Sequence, residues 1–149
     1  KAGFEMGAVT GRLRRTGWLD LPLAKYAIEM NEARELVLTK LDVLNGFKEI
    51  KVCVAYEIGG KRTGVIPFDL SRAKIKPIYK KFPVWRGNLS DYGTKLPKEA
   101  LTYVKFLEKT LGAKIIYVGT GPEEHHARHD PPGRDPHLLR RHRLGCDPP

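Results

Sequence analysis

The 149 residues are 41% apolar and 30% charged, with 27 Lys and Arg against 17 Asp and Glu, for a formal net charge of +10. This supplies one domain with a core and excludes a membrane-spanning chain, since no run approaches the ~18 uninterrupted apolar residues of a spanning helix. Two cysteines, Cys53 and Cys146, in segments of different character are too few for a disulfide framework and fit a reducing cytoplasm.

The chain opens on loop material and reads as a length cut from something longer. Gly-Ala-Val-Thr-Gly-Arg-Leu-Arg-Arg (7–15) sets three arginines beside two glycines. Arginine presents a planar fork of donors matched to carboxylate and phosphate oxygens. Gly7 and Gly11 are expected to bring backbone N–H groups close to an anion, and Thr10 adds a hydroxyl donor. A solvated basic turn is the plainer alternative. A helix is predicted from Asp20 to about Asn31, with Asp20 as N-cap, Pro22 in the first turn, and Leu23, Ala27 and Met30 recurring at helical spacing. Residues 35–39 read as a short buried strand, which places Lys40-Leu41-Asp42 on the loop at its C-terminal end, where α/β sheets bind ligands. A carboxylate there can accept the N1–H and the exocyclic amine of guanine together, and adenine would leave it unpaired. Lys40 can lay its aliphatic stem along the purine while its ammonium stays in water. The plainer alternative is a strand-end turn with an N-capping Asp42.

Residues 49–58 read as a second strand with Cys53 a small buried hydrophobe, Gly59-Gly60 as a hairpin turn, and Lys61–Phe68 as the returning strand. The stretch 69–96 gives little periodic signal. Pro97 to Leu111 is a helix with Leu101, Val104, Leu107 and Leu111 on one face and Gly112 as its stop. Lys114–Val118 is a further strand, leading into the turn Gly119-Thr120-Gly121-Pro122. From Glu123 the composition changes: all five histidines and five of the eleven prolines fall in residues 123–149, which read as a disordered or aberrant tail after a 1–122 domain.

The charge invites a rival reading, a basic nucleic-acid-binding module with Trp18, Tyr56, Trp85 and Tyr92 as stacking residues. Its distribution weakens that reading. The tail holds five Arg and five Asp/Glu, so the whole excess lies upstream, where Lys74, Lys76, Lys80, Lys81, Lys95, Lys98, Lys105 and Lys109 look like a solvated face.

Taken in order, the motifs at 7–20 and 38–46, Ile-Lys-Val-Cys-Val-Ala-Tyr-Glu (50–57), Pro77-Ile78-Tyr79, Pro83-Val84-Trp85 and Gly119–Pro122 resemble the C-terminal part of the adenylosuccinate synthetase family, over roughly residues 3–124. The resemblance implies an α/β fold, part of a larger P-loop-like domain, with mixed strands, a β-hairpin and two main helices. It implies a GTP-dependent ligase joining IMP to L-aspartate, with Mg²⁺ bound by a part of the enzyme outside this chain, a homodimer, and a cytoplasmic setting. By resemblance Ala8, Val9, Thr10, Gly11, Arg12, Leu13 and Arg14 form the loop for IMP and aspartate. Arg14 also reaches toward GTP, Lys40, Leu41 and Asp42 hold guanine, and Gly119, Thr120 and Gly121 line the other side of the base. Two departures stand out. Val9 replaces a usual Thr and removes one hydroxyl from the aspartate site, and the sequence after Glu124 leaves the family pattern, as a shifted reading frame would. The family's phosphate loop, general base and general acid are absent, so no catalytic and no metal-binding residue is expected in this segment, and the chain alone is expected to lack ligase activity.

Overall fold

A computed structural model describes residues 5–7, 9–69, 74–92, 95–121 and 126–128. Strand β1 (Leu19–Asp20) runs directly into helix α1 (Leu21–Met30) because Asp20 caps it: the Asp20 carboxylate accepts the Leu23 N–H at 3.1 Å, and Pro22 occupies a first-turn position that needs no N–H. The face expected to be buried is not. Leu23 and Met30 are exposed, together with Tyr26, while Leu21, Pro22, Ala24 and Ile28 turn to the core. This helix carries apolar residues on two faces, and periodicity alone cannot say which one points inward.

Strand β2 (Glu35–Leu38) follows, then β3 (Ile50–Ile58), β4 (Lys61–Thr63) and β5 (Ile75–Phe82). β3 is the spine of the first sheet. It pairs in parallel with β1 (Leu19 opposite Val52) and antiparallel with β4, across a turn in which Gly59 and Gly60 have φ of 56° and 76°. Two consecutive positive φ angles are what a tight hairpin turn of the right twist requires. The returning strand expected over 61–68 ends at Thr63. The long antiparallel partner of β3 is β5, from Ile50 opposite Phe82 to Ile58 opposite Ile75. β5 lies in the stretch that showed no periodicity. Among the described residues it pairs only with β3, and an edge strand tolerates both Pro77 and the exposed lysines that blur an alternating pattern.

Helix α2 (Lys98–Leu111) buries Ala100, Tyr103, Val104, Leu107 and Leu111, and stops where Gly112 adopts φ of 70° and its N–H donates to the Glu108 carbonyl at 2.9 Å. Strand β6 (Lys114–Gly119) then lies parallel to β2, with Leu36 opposite Ile115 and Leu38 opposite Val118. β7 (His126–Arg128) pairs antiparallel with the other edge of β6. These three residues lie inside the stretch read as a tail; they pair with backbone groups that the edge of β6 would otherwise leave open. The rest of that stretch, with Cys146, lies outside the described residues. No helix of the described residues is long and apolar enough to cross a membrane.

An aromatic cluster joins α2 to β5. Phe82 meets Tyr103 edge-on at 5.3 Å and Phe106 at 4.9 Å, and Trp85 lies 6.2 Å from Tyr103. Cys53 is buried as expected, and its thiol is pushed up by burial first and by Asp20 second. Two tyrosines make the fold sensitive to alkali. Burial raises the Tyr56 hydroxyl well above the usual range, reinforced by its 2.7 Å hydrogen bond to Asp20, and burial alone pushes Tyr103 up to about 12. The folded state therefore favours the neutral phenols. Their contribution is complete below the unfolded tyrosine value of ~10 and is lost as pH climbs from there through the folded values. We expect Tyr56 and Tyr103 to ionise together with unfolding when tyrosinate absorbance and circular dichroism are followed against pH. Ionisation of both with the dichroism unchanged would contradict this.

Candidate functional site

The parallel pairing of β2 and β6 delivers the loops after both strands to the same end of one sheet. Leu41 is fully buried as the anchor of the first loop, and its N–H donates to the Gly119 carbonyl at 3.3 Å. Gly119 packs on the facing backbone: a Cβ there would sit 3.4 Å from Thr39 Cα and 3.6 Å from the Lys40 nitrogen. Thr120 is buried beside it and Gly121 is half-buried. The structure thus brings Lys40, Leu41 and Asp42 together with Gly119, Thr120 and Gly121.

Lys40 has a φ of 59°, in the left-handed region that costs a side-chain-bearing residue about 1–2 kcal/mol. Strain of this kind persists where the surroundings fix it, and often at functional positions. Asp42 opens the short 3₁₀ turn Asp42–Gly46, but it does not cap it: the cap position is Leu41, without a side-chain bond. Among the described residues the Asp42 carboxylate takes no hydrogen bond or ion pair, so it is a half-buried acceptor left over for something else. Lys40→Gly is expected to leave thermal stability level or slightly raised, because it relieves the left-handed backbone. Melting curves of the variant and the unaltered chain check it.

The arginine loop is closed on itself. The Arg14 N–H donates to the Glu5 carbonyl at 2.9 Å, the Gly7 N–H to the Arg12 carbonyl at 2.9 Å, and the Gly11 N–H to the Gly7 carbonyl at 2.9 Å. The two glycines therefore do not present their N–H groups to an anion, as the sequence had suggested. They make the turn possible: a Cβ on Gly7 would lie 2.9 Å from Thr10 Oγ1, and Gly11 has a φ of 62°. The Thr10 hydroxyl accepts the Arg12 N–H at 3.4 Å, which leaves its own proton to donate. What the loop offers a ligand is side chains. Arg12, Leu13 and Arg14 are exposed, Val9 stands almost fully in solvent, and Ala8 lies outside the described residues.

Glu5 joins the two halves. Its carboxylate forms an ion pair with the Lys40 ammonium and lies 3.7 Å from the Arg14 guanidinium. The Lys40 hydrogen bond holds Glu5 below the usual carboxylate range against the opposing effect of burial, and the charges of Lys40 and Arg14 add smaller contributions. The Lys40 ammonium, expected free in water, is instead half-exposed and paired. Sequence reasoning passed over Glu5, since a lone acid before three arginines carries no motif.

Several of the features that favoured nucleic acid are otherwise engaged, although Tyr92 is exposed. Trp85 and Tyr56 are buried, and Trp18 is half-buried against Phe47 at 5.0 Å. Lys51 and Lys81 pair with Glu49, Lys76 pairs with Glu57, and Lys80 sits 3.9 Å over Phe106. Among the described residues no three His, Cys, Asp or Glu side chains gather to hold a metal.

The family model for adenylosuccinate synthetase matches residues 1–128. The chain belongs to the adenylosuccinate synthetase family. It is 47% identical over 126 residues to the adenylosuccinate synthetase of Aquifex aeolicus, covering 81% of this chain and 29% of that protein. It is 45% identical over 141 residues to that of Leifsonia xyli, covering 90% of this chain and 32% of the relative. Among solved structures, the fully ligated adenylosuccinate synthetase from Plasmodium falciparum superposes with a TM-score of 0.79 at 34% identity, over 87% of this chain and 32% of that one. The chain thus spans about a third of the length of the adenylosuccinate synthetases it matches. These relatives are ligases, which agrees with the main reading of the sequence and lends nothing to the nucleic-acid alternative. The α/β class, the hairpin and the two helices agree as well.

Proposed function

We propose that this chain forms the base-recognition and substrate-loop portion of a GTP-dependent ligase that joins IMP to L-aspartate in purine synthesis. The observation that carries the reading is the Asp42 carboxylate, without a partner among the described residues, beside a Lys40 held by Glu5 at the C-terminal ends of two parallel strands. Asp42 accepts two N–H groups of guanine, the Lys40 stem covers the purine face, and Leu41 serves as the buried anchor between them. Gly119, Thr120 and Gly121 line the opposite side of the base. Arg12 contacts IMP and the aspartate carboxylate, and Arg14 turns to the GTP phosphates, in a loop running from Ala8 to Arg14.

In the family reaction the γ-phosphoryl group of GTP passes to the 6-oxygen of IMP, and the aspartate amine then displaces phosphate. The residues here bind and orient; none of them moves a proton. Mg²⁺ neutralises charge in such transfers. In this reading its binding belongs to the remainder of the enzyme. The whole enzyme is a cytoplasmic homodimer in this reading, and residues 123–149 are largely a tail outside the 1–122 unit.

The test has two parts. The chain is titrated with GDP and ADP, and selective GDP binding is the expected result. Equal affinity for the two would sink the guanine assignment. Phosphate release from IMP, aspartate and GTP is then measured for the chain alone and for the chain joined to the upstream two thirds of the Aquifex aeolicus relative. Activity is expected in the joined protein only, and it should fall sharply with Arg12→Ala. Turnover by the 149 residues alone would refute the claim that they lack catalytic groups.

A further inference from the structure

We propose that Glu5 is a positioning residue that couples the arginine loop to the base-reading turn, fixing Lys40 for the purine while holding Arg14 in reserve for the phosphates. This rests on the guanine assignment above. One carboxylate serves both cations through different oxygens: Oε1 faces the Lys40 ammonium and Oε2 faces the Arg14 guanidinium. Its own backbone carbonyl accepts the Arg14 N–H at 2.9 Å, so the stem of the loop and the carboxylate are held together. Glu5 is the least exposed of the three, at 28% of its side chain, against 53% for Lys40 and 60% for Arg14.

The two grips are unequal. Lys40 is hydrogen-bonded to Glu5, whereas Arg14 at 3.7 Å lies beyond hydrogen-bond range and is held by charge alone. A polyphosphate arriving beside the loop draws Arg14 away first and leaves Lys40 in place. The pair suits Lys40, whose backbone is in the left-handed region and whose long, flexible side chain is 53% exposed. Neutralising Glu5 therefore weakens nucleotide binding through Lys40, while the choice of base, which rests with Asp42, is unaffected.

The experiment is a calorimetric titration of the 149-residue chain with GDP and ADP, for the unaltered protein and for Glu5→Gln, Lys40→Met, the double variant and Asp42→Ala. Glu5→Gln is expected to weaken GDP binding three- to tenfold with the GDP:ADP ratio retained. The double variant should be no weaker than Lys40→Met, since the two changes remove one interaction. Equal GDP affinity in Glu5→Gln and the unaltered protein, or additive losses in the double variant, overturns the proposal. A different pattern exposes the underlying reading instead: no GDP preference in the unaltered chain, with Asp42→Ala without effect, overturns the guanine site and the coupling with it. Carboxyl resonances of the ligand-free chain give a direct check on the tether. Glu5 should titrate below the ordinary range and return to it in Lys40→Met, and an unchanged titration would show that the two side chains do not hold each other.

Discussion

Asp42→Ala is expected to abolish the preference for GDP over ADP, with GDP binding weakened by about 1.5–3 kcal/mol, roughly ten- to hundredfold. Guanine offers two N–H groups on one edge to a single carboxylate, and an ionised acceptor makes the stronger class of hydrogen bond. Adenine presents an acceptor where guanine presents N1–H, so the carboxylate that binds one base repels the other. Asp42 suits this role because no described partner competes for it and because Leu41, fully buried, fixes the turn from which it projects. ADP binding should hold or rise in the variant, since adenine loses a repulsive neighbour. Stability should also change little, as the carboxylate caps no helix. Competition calorimetry reads both affinities. A variant that still prefers GDP would move base recognition elsewhere in the protein.

The largest effect on stability is expected at Trp85. It is 1% exposed, the largest of the fully buried side chains, and packs against Tyr103 under α2. Truncating a buried Trp to Ala costs about 3–5 kcal/mol. Whole domains hold only about 5–15 kcal/mol, so Trp85→Ala should unfold a large share of the chain near body temperature. The indole Nε1 is buried without a hydrogen-bond partner among the described residues. The loss is therefore one of packing, and Trp85→Phe should be milder than a hydrogen-bonded Trp would allow. Urea unfolding of the two variants gives the comparison. Equal losses for Phe and Ala would mean that the unpaired N–H is engaged after all.

What was legible in the sequence was what short-range chemistry dictates. The Asp20 cap, the Gly59-Gly60 turn and the Gly112 stop each follow from one residue type meeting one backbone requirement, and all three stand as read. Errors arose where the decision is made at a distance. Whether α1 buries Leu23 or Ile28 depends on what lies beneath it, and both faces offer apolar side chains. β5 was invisible because an edge strand need not alternate, and its partner β3 begins well upstream. Gly7 and Gly11 were rightly singled out as special, but for the wrong reason: the loop uses them to close on itself and not to bare its amides. Glu5 was missed because it meets Lys40 only through the fold.

The loops that carry Asp42 and Gly119 follow β2 and β6, parallel strands separated by most of the described chain. The hairpin of β3 and β4 and helix α2 close on near neighbours, but this pairing must wait for a long excursion of backbone to return, and such contacts form slowly. The site is accordingly among the last parts of the molecule to assemble during folding. In a refolding experiment helical signal is expected to return early, and protection of the β2–β6 backbone amides with the slow phase.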